Sequence, residues 1–287
     1  MGSPQDSRGE TGIPRIYPWG GVNEGPPGSL ARTSGPVDGQ PLSWLERAGQ
    51  EPAVLLLHGW GSSAASFTGL LRLSRSPRRL VALDLPGFGE SPIGRGEWDT
   101  SSYSELVSMW AAEHLGSSHS LLGHSYGGAI SMRLAARPSP PDRLLLCSAS
   151  GIRPQARGAP TARVRAYRGL RSLSHMLPGQ LGSQAREWLV QRFGSADYRA
   201  AGPLLRPTLV AAVTEDLSEL AQLIEIPTLV IWGARDAELP LDPHAQRLRT
   251  LISSSELVVL EHSGHFPFVD EAGRFARIFD SFMDATL

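Results

Sequence analysis

Six short apolar runs, each ending in a loop rich in glycine or polar residues, constrain this chain more than any other feature. They are AVLLL (53–57), RLVALD (79–84), SLLG (120–123), RLLLCSASG (143–151), PTLVIWG (227–233) and ELVVLE (256–261). Such runs are apolar almost throughout rather than at every second position, as expected of strands buried on both faces. An earlier stretch, PLSWLERAG (41–49), reads as a further strand. Helix-like segments lie between the runs. SSYSELVSMWAAEHLG (101–116) has a serine able to cap its start and Gly116 to end it. YGGAISMRLAARP (126–138), LDPHAQRLRTLI (241–252) and VDEAGRFARIFDSFM (269–283) follow. Strand–helix alternation of this kind predicts a mostly parallel, doubly wound α/β sheet. Chemistry in such sheets belongs at the carboxyl ends of the strands.

The alternation breaks between residues 151 and 214. No strand pattern occurs there, only helical pieces such as RVRAYRGLRSLSHML (163–177) and SQAREWLVQRFG (183–194). The expected organisation is therefore an α/β core over 29–150 and 215–287, with 151–214 inserted as a helical cap over the strand ends. Residues 1–28, rich in Gly, Pro and polar side chains, read as a flexible N-terminal arm. The cap segment holds ten arginines against Glu187 and Asp197, a local charge of +8 in a chain whose net charge is −1. The chain has no lysine. That absence reads as codon composition rather than chemistry, so the arginines are either solvated helix faces or a recruiting surface for an anionic substrate.

A net charge of −1 over 287 residues argues against a nucleic-acid-binding protein, which carries a basic face. Cys147 is the sole cysteine, so neither a disulfide framework nor a thiolate metal site is available, and it reads as a small buried hydrophobe within a strand. No apolar run reaches the roughly 18–20 residues of a membrane span. The N-terminus lacks a basic start followed by an apolar core. A cytoplasmic protein with no membrane partner is expected.

GHSYGG (123–128) joins a strand-like run to a helix-like one. In that context G-x-S-x-G reads as a nucleophile elbow with Ser125 at its tip. A serine hydroxyl needs a general base, normally histidine, and a carboxylate to fix the histidine's tautomer. Asp236 in WGARDAELP follows the strand PTLVIW and is the preferred carboxylate, with Glu238 as its rival. His265 in HSGHFPF is the preferred base, with His262 as its rival. An H-x-x-H zinc site is set aside because no other ligand cluster lies nearby. The backbone N–H groups of Trp60, in HGWG (58–61), and of Tyr126 are placed to hold an oxyanion. Asp84 in DLPGFGES is expected to organise a turn, and His58 and His124 to orient loops.

In order along the chain, HGWG, DLPGFGES, GHSYGG, WGARD and SGHFPF resemble the landmarks of the α/β-hydrolase superfamily, in its branch with a helical cap. The resemblance spans residues from about 40 to 287 and is specific for the fold rather than for a substrate. Ser125 stands where epoxide hydrolases and haloalkane dehalogenases carry an aspartate nucleophile. HGWGSS lacks the proline of the HG-x-GPG stretch of the aromatic-ring C–C hydrolases. HGW and DLPGFGES are similar to stretches of the pimeloyl-carrier methyl esterases, whereas GHSYGG departs from their elbow.

The expected activity is cofactor-independent hydrolysis of a small carboxylic ester, anionic or carrier-bound substrates included, through a Ser125–His265–Asp236 triad. C–C bond hydrolysis, acyl transfer or lyase chemistry on the same triad, or a non-catalytic receptor, are the alternatives, since fold does not dictate function.

Overall fold

The computed structural model describes residues 29–94, 96, 98–153, 179–193 and 195–286. The expected arm (1–28) and the helical piece 163–177 lie outside the described residues. Eight strands form one sheet: β1 (Leu30–Val37), β2 (Gln40–Arg47), β3 (Gln50–Leu57), β4 (Arg78–Asp84), β5 (His119–His124), β6 (Leu144–Cys147), β7 (Thr228–Gly233) and β8 (Ser255–Leu260). Their spatial order is β1-β2-β4-β3-β5-β6-β7-β8. β1 and β2 pair antiparallel, as do β2 and β4, and every other neighbouring pair is parallel.

The apolar runs explain the layering. Successive side chains of a strand face opposite sides of a sheet. Leu55, Leu57, Leu121, Leu146 and Trp232 therefore enter one buried cluster, with Tyr103, Trp110 and Ile130. Val54, Leu56, Leu122, Leu145 and Ile231 enter the other, with Phe67, Phe275 and Phe279. Helices α1 (Thr68–Leu73), α2 (Thr100–His114) and α3 (Tyr126–Ala135) follow β3, β4 and β5 in turn. Each fully buried leucine stabilises the fold by roughly 1.5–3 kcal/mol.

Two local features differ from expectation. Helix α2 is capped by Asp99, whose carboxylate accepts from the N–H of Ser102 at 2.8 Å, and not by a serine. The first strand was absent from the expected pattern: β1 pairs with β2 through a tight turn at Asp38 and Gly39, with φ of 48° and 74°.

Between β6 and β7 the described residues form α4 (Gly179–Phe193), α5 (Ala196–Ala200), α6 (Arg206–Thr214) and α7 (Ser218–Ala221), with no strand among them. The segment is fastened to the sheet side at several points. The N–H of Leu217 donates to the carbonyl of Gly151 at 2.7 Å. Glu215 accepts from Arg133 of α3 and from the hydroxyl of Thr100 of α2. Leu205 packs over the loop after β4, so closely that a Cβ on Gly87 would lie 3.0 Å from its Cδ2. After β7 come α8 (Leu241–Leu251), and after β8 α9 (Pro267–Asp270) and α10 (Ala272–Met283).

Candidate active site

Ser125 sits between β5 and α3 at φ 49°, ψ −114°. A non-glycine residue held there costs on the order of 1–3 kcal/mol. Its backbone is correspondingly over-determined: its N–H donates to Cys147 O at 3.0 Å, and its carbonyl accepts from Gly128 N at 2.9 Å and Ser150 N at 3.0 Å. The neighbouring glycines are required by contact. A Cβ on Gly127 would stand 2.2 Å from the Leu57 carbonyl oxygen, one on Gly123 2.6 Å from Gly127 O, and one on Gly128 2.4 Å from Ala149 Cβ. The turn is therefore wedged against β3 and the end of β6.

The loop after β3 comes equally close. A Cβ on Gly59 would lie 3.0 Å from Ser125 Cβ and 2.9 Å from His124 Nδ1. This brings the backbone of Trp60 beside the elbow. Neither the N–H of Trp60 nor that of Tyr126 has an acceptor among the described residues. Tyr126 opens α3, where the first amides lack intrahelical partners and favour negative charge. The two side chains meet edge to face at 5.6 Å, and Trp60 meets Phe88 at 5.1 Å. They form an aromatic wall flanking the turn.

Asp236 and His265 are brought together by the ends of β7 and β8. Gly233 permits this: a Cβ there would strike Gly264 O at 2.1 Å and Ser263 O at 2.4 Å. His265 Nδ1 donates to Asp236 Oδ2 at 2.8 Å, and both residues are buried. Asp236 Oδ1 accepts from the N–H groups of Glu238 at 3.0 Å and Leu239 at 2.9 Å. Burial raises the Asp236 carboxyl's pKa, but the hydrogen bonds from His265, Leu239 and Glu238 outweigh it and leave the group below its ordinary value. The carboxylate is thus charged and its orientation fixed. Among the described residues no hydrogen bond joins the Ser125 hydroxyl to His265.

The rivals occupy different places. Glu238 is exposed, and its Oε2 lies 3.6 Å from the other ring nitrogen of His265, Nε2. His262 is at the surface, where Arg235 donates to its Nδ1 at 3.0 Å. The two histidines of the H-x-x-H pair thus serve separate partners.

His124 donates from Nε2 to the carbonyl of His265 at 2.9 Å, tying the end of β5 to the loop that carries His265. Burial pushes its pKa down to about 3, with the neighbouring His265 adding to the effect, so it is neutral. His58 accepts at Nε2 from Leu85 N at 3.1 Å and donates from Nδ1 to Gly59 O at 2.8 Å, joining the β3 and β4 loops. Burial lowers its pKa as well. Asp84, fully buried, accepts from Ala64 N at 2.6 Å, Glu90 N at 3.1 Å and Arg32 at 2.6 Å. Sequence reasoning missed Arg32 because it belongs to the unassigned strand β1. A cavity of about 330 Å³, lined by Arg78, Ser120 and Arg143, opens at the amino ends of the strands, away from these loops.

The profile of the alpha/beta hydrolase family matches residues 54–278. The chain belongs to the alpha/beta hydrolase family. Among this hydrolase's relatives is an uncharacterized protein of Mycobacterium tuberculosis, 30% identical over 83% of this chain and 77% of its own length. A pimeloyl-[acyl-carrier protein] methyl ester esterase of Aeromonas hydrophila is 31% identical over 83% of this chain and 98% of its own. The crystal structure of a membrane phospholipase A superposes with a TM-score of 0.69 at 27% identity, over 90% of this chain and 86% of that one. The eight-stranded alpha/beta hydrolase fold, the family and the hydrolase class therefore agree.

Proposed function

We propose that this alpha/beta hydrolase cleaves a small carboxylic ester through a triad of Ser125, His265 and Asp236. The observation that carries the reading is the pairing of a strained strand-to-helix serine with a buried His265–Asp236 hydrogen bond at adjacent strand ends. In the first half-reaction Ser125 Oγ bonds to the ester carbonyl carbon while its proton passes to His265 Nε2. Asp236 stabilises the imidazolium so formed. The N–H groups of Trp60 and Tyr126 hold the oxyanion, as free amide donors beside the elbow do. The ester C–O bond breaks, the alcohol leaves with the proton from Nε2, and an acyl-serine remains. Water then gives a proton to His265 and bonds to the acyl carbon, and Ser125 leaves with that proton as the acid is released. None of these steps requires a metal or an organic cofactor.

The pimeloyl-carrier esterase among the relatives supports an ester as substrate and a carrier-bound acyl chain as one form of it. The segment 151–214 serves as the cap, its described part being mostly helical, packed over the β4 loop at Leu205 and tied to the core where Gly151 accepts from Leu217 N. Its arginines favour an anionic or carrier-bound acyl group, acting in the cytoplasm. Hydrolysis of short-chain p-nitrophenyl esters by wild type and by Ser125→Ala tests the triad. A fall of about a thousandfold or more in kcat is expected for Ser125→Ala. Equal activity of the two proteins rules the triad out.

A further inference from the structure

The ring nitrogen that must take the serine proton faces a second carboxylate. His265 Nδ1 is bonded to Asp236 at 2.8 Å, and Glu238 Oε2 stands 3.6 Å from Nε2. The two acids are coupled through one turn, because the N–H of Glu238 donates to Asp236 Oδ1 at 3.0 Å. Asp236 is fully buried, whereas the Glu238 side chain is 67% exposed. One carboxylate therefore belongs to the interior of the site and the other to its mouth. Nε2 also delivers the proton to the departing alcohol, so a charge beside Nε2 lies beside the leaving group.

We propose that Glu238 is a specificity-determining residue whose carboxylate, beside the Nε2 that hands its proton to the leaving group, sorts esters by the charge of their alcohol. This rests on the triad reading above. The Glu238 carboxylate is a negative charge beside the departing oxygen. The same charge repels an anionic alcohol as it departs and tolerates a neutral one. The other charged or titratable groups around His265 do not duplicate this. His124 is neutral and spends its Nε2 proton on the His265 carbonyl. Cys147, at the end of β6, is held as a neutral thiol by burial. Asp270 of α9 accepts from Gly264 N, and Arg235 is engaged by His262.

The test measures kcat/KM at low and high salt for wild type, Glu238→Gln, Glu238→Asp and Ser125→Ala. The substrates are phenyl acetate and 4-sulfophenyl acetate, which share an acyl group and differ in leaving-group charge. Glu238→Gln removes the charge while keeping the size of the side chain. It is expected to raise the ratio of anionic to neutral ester turnover roughly two- to fivefold at low salt, with the gain shrinking as salt is added. Glu238→Asp, which keeps the charge, should fall nearer wild type in that ratio. A ratio for Glu238→Gln that matches wild type at low salt, with Ser125→Ala inactive, overturns the role of Glu238 and leaves the triad standing. Full activity of Ser125→Ala overturns both.

Discussion

The strand-end loops around Ser125 and the helical segment before β7 are built to opposite rules. Around the elbow, backbones pass so closely that Gly59, Gly123, Gly127, Gly128 and Gly233 leave no room for a Cβ. Buried hydrogen bonds from His58, Asp84 and His124 tie the loops of four strands to one another. In the segment 179–214, by contrast, Leu181, Trp188, Leu204 and Val213 are each more than half exposed. The first region holds the residues of the proposed triad and tolerates no added methyl group. The second can change side chains without disturbing that geometry, which is where substrate choice is free to vary.

The contrast breaks most readily at Gly127. Gly127→Ala places a methyl group against the Leu57 carbonyl, a backbone atom that cannot swing aside. A loss of about 3 kcal/mol or more is expected, lowering the melting temperature by roughly 6 °C or more. Thermal unfolding with and without the substitution measures it.

A second effect separates the two regions by pH. His124 is buried and neutral with its pKa pushed down to about 3, and burial lowers His58 too. Unfolded, such histidines take up protons near pH 6.5, while the folded protein refuses them. The contribution of His124 to stability is therefore complete above about pH 6.5 and is lost as pH falls toward 3, at about 1.4 kcal/mol per pH unit, and that of His58 runs in the same direction. His124→Gln should flatten the decline in melting temperature across that window. An unchanged slope counts against His124 as a neutral tie between loops.

The smallest effect belongs to the exposed segment. Leu204→Ser, at a side chain 71% exposed, should shift the melting temperature by no more than about 2 °C. A large shift at Leu204 means that the segment is built into the core as tightly as the elbow is.

Much of the fold was legible because β3 to β7 are continuous apolar runs, which only strands covered on both faces can use. The elbow was legible because Ser125 stands between such a run and a helix. β1 was not, because LARTSGPV has no apolar face: it is an edge strand, mostly exposed or half-buried, held by backbone pairing to β2. Arg32, which reaches Asp84 from that strand, was lost with it. The cap of α2 was misassigned because Asp99 directly precedes Thr100, Ser101 and Ser102, any of which has capping chemistry. Asp236 ranks ahead of Glu238, two residues on, because it lies nearer the end of β7. Folding puts one on each nitrogen of His265, a distinction that depends on loop geometry after β7.

The central claim is that Ser125 is the nucleophile of a working triad. Treating the protein with a fluorophosphonate probe and mapping the modified peptide by mass spectrometry tests it directly. The account predicts one phosphonyl adduct on the peptide holding Ser125, absent from Ser125→Ala and formed far more slowly in Asp236→Asn. An adduct on a different residue, or labelling of Ser125→Ala equal to wild type, contradicts it.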